Sequence, residues 1–132
     1  MTEKLDLYKC NICGNFVEVV LPGDGELVCC GQPMERVKIH TAEEEMLGEK
    51  HVPVIEVNGE ETEIRVGSIP HPMEEEHYIQ FIEAYSPDKN YVKRKYLYPH
   101  EEPVLKFKCH CAKVVARELC NIHGLWESPR KD

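Results

Sequence analysis

Two things are scarce in this 132-residue chain: long apolar runs and positive charge. No stretch approaches the ~20 consecutive apolar residues that a membrane-spanning helix requires. The charged opening Met1-Thr2-Glu3-Lys4 does not resemble a secretory leader either, so the expectation is a cytoplasmic protein with no membrane partner. Lys and Arg number 16 against 24 Asp and Glu, a formal net charge of −8. Binding a nucleic-acid backbone needs clustered cations, and the one short cluster, Lys93-Arg94-Lys95, reads as a solvated strand face. Nucleic acid is therefore excluded as a partner, and an anionic substrate would need a local positive site to overcome the long-range repulsion. Internal repeats are lacking too, and the run Glu74-Glu75-Glu76 is too short to be a low-complexity tail.

Cysteine is not scarce. There are seven, an odd number whose spacing suits metal binding in a reducing compartment better than a secreted disulfide framework. Cys10 and Cys13 form a C-x-x-C pair, and Cys29 lies beside Cys30. The first pair presents two sulfurs to one ion from a turn whose amides, helped by Gly14, can point at them; the second pair closes a tetrahedron. Vicinal cysteines splay less freely, so a distorted tetrahedron is expected. The spacing leaves iron and zinc open, and a pair of disulfides is the alternative to a metal. The surrounding apolar residues, among them Leu5, Leu7, Phe16, Val19 and Leu27, are too few for a self-sufficient core, and a module that small needs a staple.

The cysteine module ends near Val37 to Thr41, which divides the chain into residues 1–38 and 39–132. Thr41 to Gly48 reads as a short helical turn, with Thr41 and Glu44 spaced as a capping box, or as a loop. Beyond it the pattern is mainly β: Val52 to Val57, Thr62 to Val66, His77 to Tyr85, Tyr91 to Tyr98, Val104 to Cys111 and Val114 to Leu119, about seven strands of a sandwich or barrel. Asn58-Gly59-Glu60-Glu61 marks a hairpin. Leu105 and Phe107 alternate with Lys106 and Lys108, so Cys109 and Cys111 read as small core residues on the same strand face. His40, His100 and His110 read as surface or boundary residues, and Trp126 as a seal on the sandwich near Cys120.

The second part also holds possible metal ligands. Cys120-Asn121-Ile122-His123 is a C-x-x-H pair able to clamp one ion from a single loop, a weak signal alone. His51 and His71 stand beside Pro53 and Pro72, which stiffen their loops, and His77 follows six residues after His71.

With these motifs in order, the chain resembles the desulfoferrodoxins, the two-iron superoxide reductases, over nearly its full length. The matching stretches begin with Cys10-Asn-Ile-Cys13-Gly14-Asn15 and Leu27-Val-Cys29-Cys30-Gly31-Gln-Pro33-Met34. They continue through Glu49-Lys50-His51-Val-Pro53 and Gly67-Ser-Ile-Pro70-His71-Pro72-Met73-Glu-Glu-Glu-His77, and end with Val114-Val-Ala-Arg-Glu-Leu-Cys120-Asn-Ile-His123-Gly124-Leu-Trp126. The C-x-C of Cys109 and Cys111 departs from the family pattern.

The resemblance implies a desulforedoxin-like module over 1–38 with an Fe(Cys)4 centre on Cys10, Cys13, Cys29 and Cys30. It implies an immunoglobulin-like β-sandwich over 39–132 with an Fe(His)4Cys centre, in which His51, His71, His77 and His123 are equatorial and Cys120 is axial. The activity implied is one-electron reduction of superoxide to hydrogen peroxide, with electrons from rubredoxin or a similar donor and a homodimer as the assembly. Lys50 would attract the anion and order a proton-donating water, and Glu49 would bind the oxidised iron. Two other classes compete: pure electron transfer, which gains nothing from an open coordination position, and a zinc-ribbon-like interaction module, which the vicinal Cys29-Cys30 pair fits poorly.

Overall fold

The computed structural model describes residues 1–41, 51–67, 71–108 and 113–129. By its internal contacts the chain divides into two compact units, Met1–Lys38 and Ile39–Asp132. The expectation of a mainly β chain, with a small cysteine module followed by a β-sandwich, holds.

Unit 1 is built from very short strands. β1 (Leu7–Lys9) lies between β2 (Phe16–Glu18) and β5 (Glu35–Arg36), while β3 (Val28–Cys29) and β4 (Gln32–Pro33) form a separate ladder. The buried apolar side chains here are Leu5, Leu7, Cys10 and Val19, whereas Ile12, Val20, Leu21 and Val28 are more than half exposed. Four buried side chains cannot offset the conformational entropy of ordering this many residues, which is the physical case for a metal staple. Asp6 helps at the margin, accepting from the Glu3 amide at 2.9 Å and from Arg36 at 3.0 Å.

Unit 2 is a sandwich of two antiparallel ladders. One sheet runs β10 (Val92–Tyr96), β9 (Ile79–Tyr85), β12 (Val115–Cys120) and β13 (Gly124–Glu127), with β6 (Ile39–His40) added in parallel at the β13 edge. The other runs β11 (Val104–Lys108), β8 (Glu61–Val66), β7 (Pro53–Asn58). The expected hairpin joins β7 to β8 through Gly59 and Glu60. Alternation decides which side chains enter the core: on β8, Thr62, Ile64 and Val66 are buried, and the latter two cluster with Ile79, Ile82, Ala84, Leu97, Leu105, Ala116 and Cys120. Phe107 packs against this cluster, as its alternation with Lys106 and Lys108 requires.

The opposite face of the large sheet carries buried charge. Arg117 donates to Glu83 at 2.6 and 3.0 Å, and Arg94 donates to the second Glu83 oxygen at 2.8 Å. The reading of Lys93-Arg94-Lys95 as a solvated face is corrected at its centre: Arg94 lies opposite Glu83 in the β9–β10 register and is spent on that carboxylate.

The register brings five strand ends together. Pro53 at the start of β7 pairs with Val66 at the end of β8, Ile79 at the start of β9 pairs with Cys120 at the end of β12, and Gly124 at the start of β13 pairs with Cys120. Residues just outside these ends therefore converge on one end of the sandwich.

Candidate metal centres

In unit 1 the sulfurs of Cys10, Cys13, Cys29 and Cys30 all lie within 4.8 Å of one another. The C-x-x-C turn is set by Gly14, whose φ of +83° is the left-handed conformation that side-chain-bearing residues resist. It lets the Gly14 amide bond to the Cys10 carbonyl at 3.0 Å and the Cys13 amide point at Cys10 Sγ at 3.4 Å. That amide and its Ile12 neighbour lower the Cys10 thiol to about 6. Cys30 is pushed up to about 12 by its neighbours Cys13, Cys10 and Cys29. Without a cation the group thus accepts a first negative charge readily and resists more.

Cys13 and Cys29 sulfurs are 3.6 Å apart, and Cys29 and Cys30 sulfurs 4.0 Å. A tetrahedron with metal–sulfur bonds of about 2.3 Å has edges of about 3.8 Å, so the group fits one ion, with unequal edges.

In unit 2, His51, His71, His77, Cys120 and His123 bring one ligand atom each into a second group within 4.8 Å. His51 precedes β7, His71 and His77 lie between β8 and β9, Cys120 ends β12, and His123 sits in the turn into β13. The imidazoles form a closed square: His51 meets His71 and His123, and His77 meets the same two, all edge to face with centroids 4.6 to 4.9 Å apart. His51 Nε2 is 3.0 Å from His71 Nε2 and 3.1 Å from His123 Nδ1. Neighbouring ligands at right angles on metal–nitrogen bonds of about 2.1 Å are about 3.0 Å apart. His77 Nε2 is buried with no hydrogen-bond partner among the described residues, an orphaned polar atom that a metal would satisfy. The donor set therefore fits a metal too.

Neighbours orient each ring. The Pro72 carbonyl lies 2.6 Å from His71 Nδ1, which places the proton there and leaves Nε2 free to ligate. Burial lowers His71 to about 4, and the other three imidazoles push the same way; it is neutral at physiological pH. Burial raises the Cys120 thiol, while the amides of Ile122 and His123 act in the opposite sense, the latter 3.4 Å from the sulfur. Glu118, two residues earlier on the core face, is fully buried with no hydrogen-bond partner for either carboxyl oxygen among the described residues, and burial holds its carboxyl well above the usual range.

Trp126 does more than seal the sandwich. Its ring stacks on His51 at 5.0 Å and 23°, its Nε1 donates to the His123 carbonyl at 3.1 Å, and His40 stacks on it at 4.9 Å. His40 reaches this place because Gly124 leaves room: a Cβ there would lie 3.4 Å from His40 Nε2. Read from sequence, His40 is a surface or boundary residue, and nothing local to it signals the stack. Glu49 and Lys50, Cys109 and Cys111, His110 and residues 42–48 lie outside the described residues. His100 is exposed.

The family model "Desulfoferrodoxin" matches residues 43–129, and "Desulfoferrodoxin, N-terminal domain" matches residues 2–37. A desulfoferrodoxin homolog of Archaeoglobus fulgidus is 52% identical over 128 residues, covering 97% of this chain and 99% of the relative. The desulfoferrodoxin of Desulfarculus baarsii is 49% identical, covering 97% and 98%. Among solved structures, the superoxide reductase from Treponema pallidum superimposes with a TM-score of 0.73 at 28% identity, covering 96% of this chain and 98% of that one.

Proposed function

The chain belongs to the desulfoferrodoxin family, and on that premise we propose that it is a superoxide reductase, which converts superoxide, one electron and two protons into hydrogen peroxide without forming dioxygen. The observation that carries the reading is the closed square of four imidazoles with Cys120 beside it. Two iron ions per chain are the cofactors. Cys10, Cys13, Cys29 and Cys30 would hold the first, and His51, His71, His77, His123 and Cys120 the second. When bound in its ferrous form, the second iron supplies the electron that superoxide takes up.

The chain's own groups prepare that step. Four neutral imidazoles bind the metal without cancelling its charge, so an anion is still attracted to it. The Cys120 thiolate adds electron density, and the amide directed at its sulfur moderates that donation. Lys50 is assigned the local positive charge that an acidic protein needs to draw in superoxide, and the ordering of a proton-donating water. Glu49 is assigned a carboxylate that would bind the iron in its oxidised form.

Electrons come from rubredoxin or a similar small redox donor, and the protein works as a cytoplasmic homodimer joined through unit 1. The exposure of Ile12, Val20, Leu21 and Val28 on so small a unit supports that dimer. Pulse radiolysis of the reduced, iron-loaded protein tests the activity: one hydrogen peroxide per superoxide and no dioxygen is expected, and dioxygen release would reject the reading. Lys50→Ala should slow superoxide consumption and flatten its salt dependence; an unchanged rate and slope would reject the steering role.

A further inference from the structure

Each ligand of the five-residue group has a holder, and His77 has the least obvious one. His71 is fixed by the Pro72 carbonyl, His51 by the Trp126 ring, and His123 and Cys120 share one short turn. His77 stands outside β9, in a turn closed by the Glu74–His77 bridge. Its backbone neighbours on both sides are gripped by Asn121, the residue after Cys120. The Asn121 side-chain amide donates to the Glu76 carbonyl at 3.0 Å and accepts from the Tyr78 amide at 2.9 Å, while the Asn121 backbone amide donates to the Tyr78 carbonyl at 3.2 Å. A carbonyl only accepts and an amide N–H only donates, so these partners fix which end of the Asn121 side chain is which.

The grip starts where the regular ladder fails. Between Leu119 and Cys120 the β9–β12 register slips, so that Cys120 faces Ile79 across a bulge. Past the bulge, Asn121 continues the pairing with its side chain, which spans both peptide units flanking His77. One loop thus supplies Cys120 and His123 directly and holds His77 through Asn121.

We infer that Asn121 is a positioning residue for iron at the His51, His71, His77, Cys120 and His123 group, acting by clamping the backbone on both sides of His77. The inference rests on the proposed iron-binding role of that group. Polar groups behind metal ligands are worth about 10–100-fold in metal affinity, and a side chain that sets the ligand's backbone belongs in that range.

The test uses the full-length chain in wild-type, Asn121→Ala and Asn121→Asp forms. With both centres iron-loaded, loss of iron to a chelator is followed separately at each centre by its visible band. Asn121→Ala should lose iron from the five-residue group about 10–100-fold faster and shift its oxidised band, with the tetracysteine centre unchanged as internal control. Asn121→Asp should fall between, because its carboxylate still accepts from Tyr78 but no longer donates to Glu76. In the metal-free protein, hydrogen exchange of the Tyr78 amide should quicken in Asn121→Ala and stay near wild type in Asn121→Asp. Wild-type retention and band in Asn121→Ala, equal loss from both centres, or unchanged Tyr78 exchange would each overturn the clamp. A wild-type protein that takes up no iron at the five-residue group would instead overturn the functional reading on which it rests.

Discussion

The two candidate centres solve opposite problems. In unit 1 the metal would make the fold: strands of two or three residues and three buried apolar side chains besides Cys10 accompany sulfurs of which those of Cys13 and Cys30 belong to exposed residues. In unit 2 the fold makes the site: a core of buried residues from both sheets holds five strand ends in register, and the ligands are whatever those ends carry. Chemistry follows from that difference. A tetrathiolate closed on all sides suits a staple and an electron store, whereas a ligand set fixed by its scaffold can keep a coordination position for substrate.

Breaking the first centre should have the largest effect. Cys10→Ser is expected to cost the first iron and the fold of unit 1 together, seen as collapse of that unit's dispersed amide signals, while superoxide reduction by unit 2 largely persists. Loss of activity with the unit 2 signals intact would show that the centres are not separable. Breaking the second should do the reverse. Cys120→Ala should reduce superoxide consumption to that of buffer in pulse radiolysis and leave unit 1 and its iron untouched.

Arg117→Met asks whether the unit 2 scaffold can be weakened away from its site. It strips Glu83, a fully buried carboxylate, of one cation and leaves it Arg94, so the cost falls below the about 3–5 kcal/mol of a buried charge left alone. Calorimetry should show a fall of at least about 4 °C in the melting of unit 2, with the visible bands of both centres unchanged at room temperature. Trp126→Phe is the mildest change. It keeps the ring against His51 and removes the bond to the His123 carbonyl, for a loss of about 1 kcal/mol and a slight rise in the rate of iron release from the second centre alone.

Much of unit 2 is legible in the amino-acid order itself. Period-two alternation depends only on neighbours in sequence, which is why β7 to β12 can be read from it, with only their ends displaced. Tyr91 to Tyr98 shows where that reading stops: β10 ends at Tyr96, although Leu97 is buried and its amide still bonds to the Gln80 carbonyl at 2.9 Å. The cysteine pairs and the family motifs point to the residues that the fold gathers into two groups. What pattern does not convey is who meets across long separations. β6 is two residues long and pairs in parallel with β13, some 85 residues away, so neither period nor propensity marks it. Glu83, the partner of Arg94 and Arg117, is 11 and 34 residues from them, on the strand between theirs, and only the register reveals it. Asn121 is visible in sequence only as a spacer in C-x-x-H. Its role emerges when the register places it against Glu76 and Tyr78.

The stack of Trp126 on His51 has one last consequence. Trp126 is the chain's only tryptophan, and its ring lies 5.0 Å from a ring of the five-residue group. Its fluorescence is thus expected to report on that group, falling as iron enters beside the ring. An emission titration can then follow the filling of the five-residue group without a mutation or an added label.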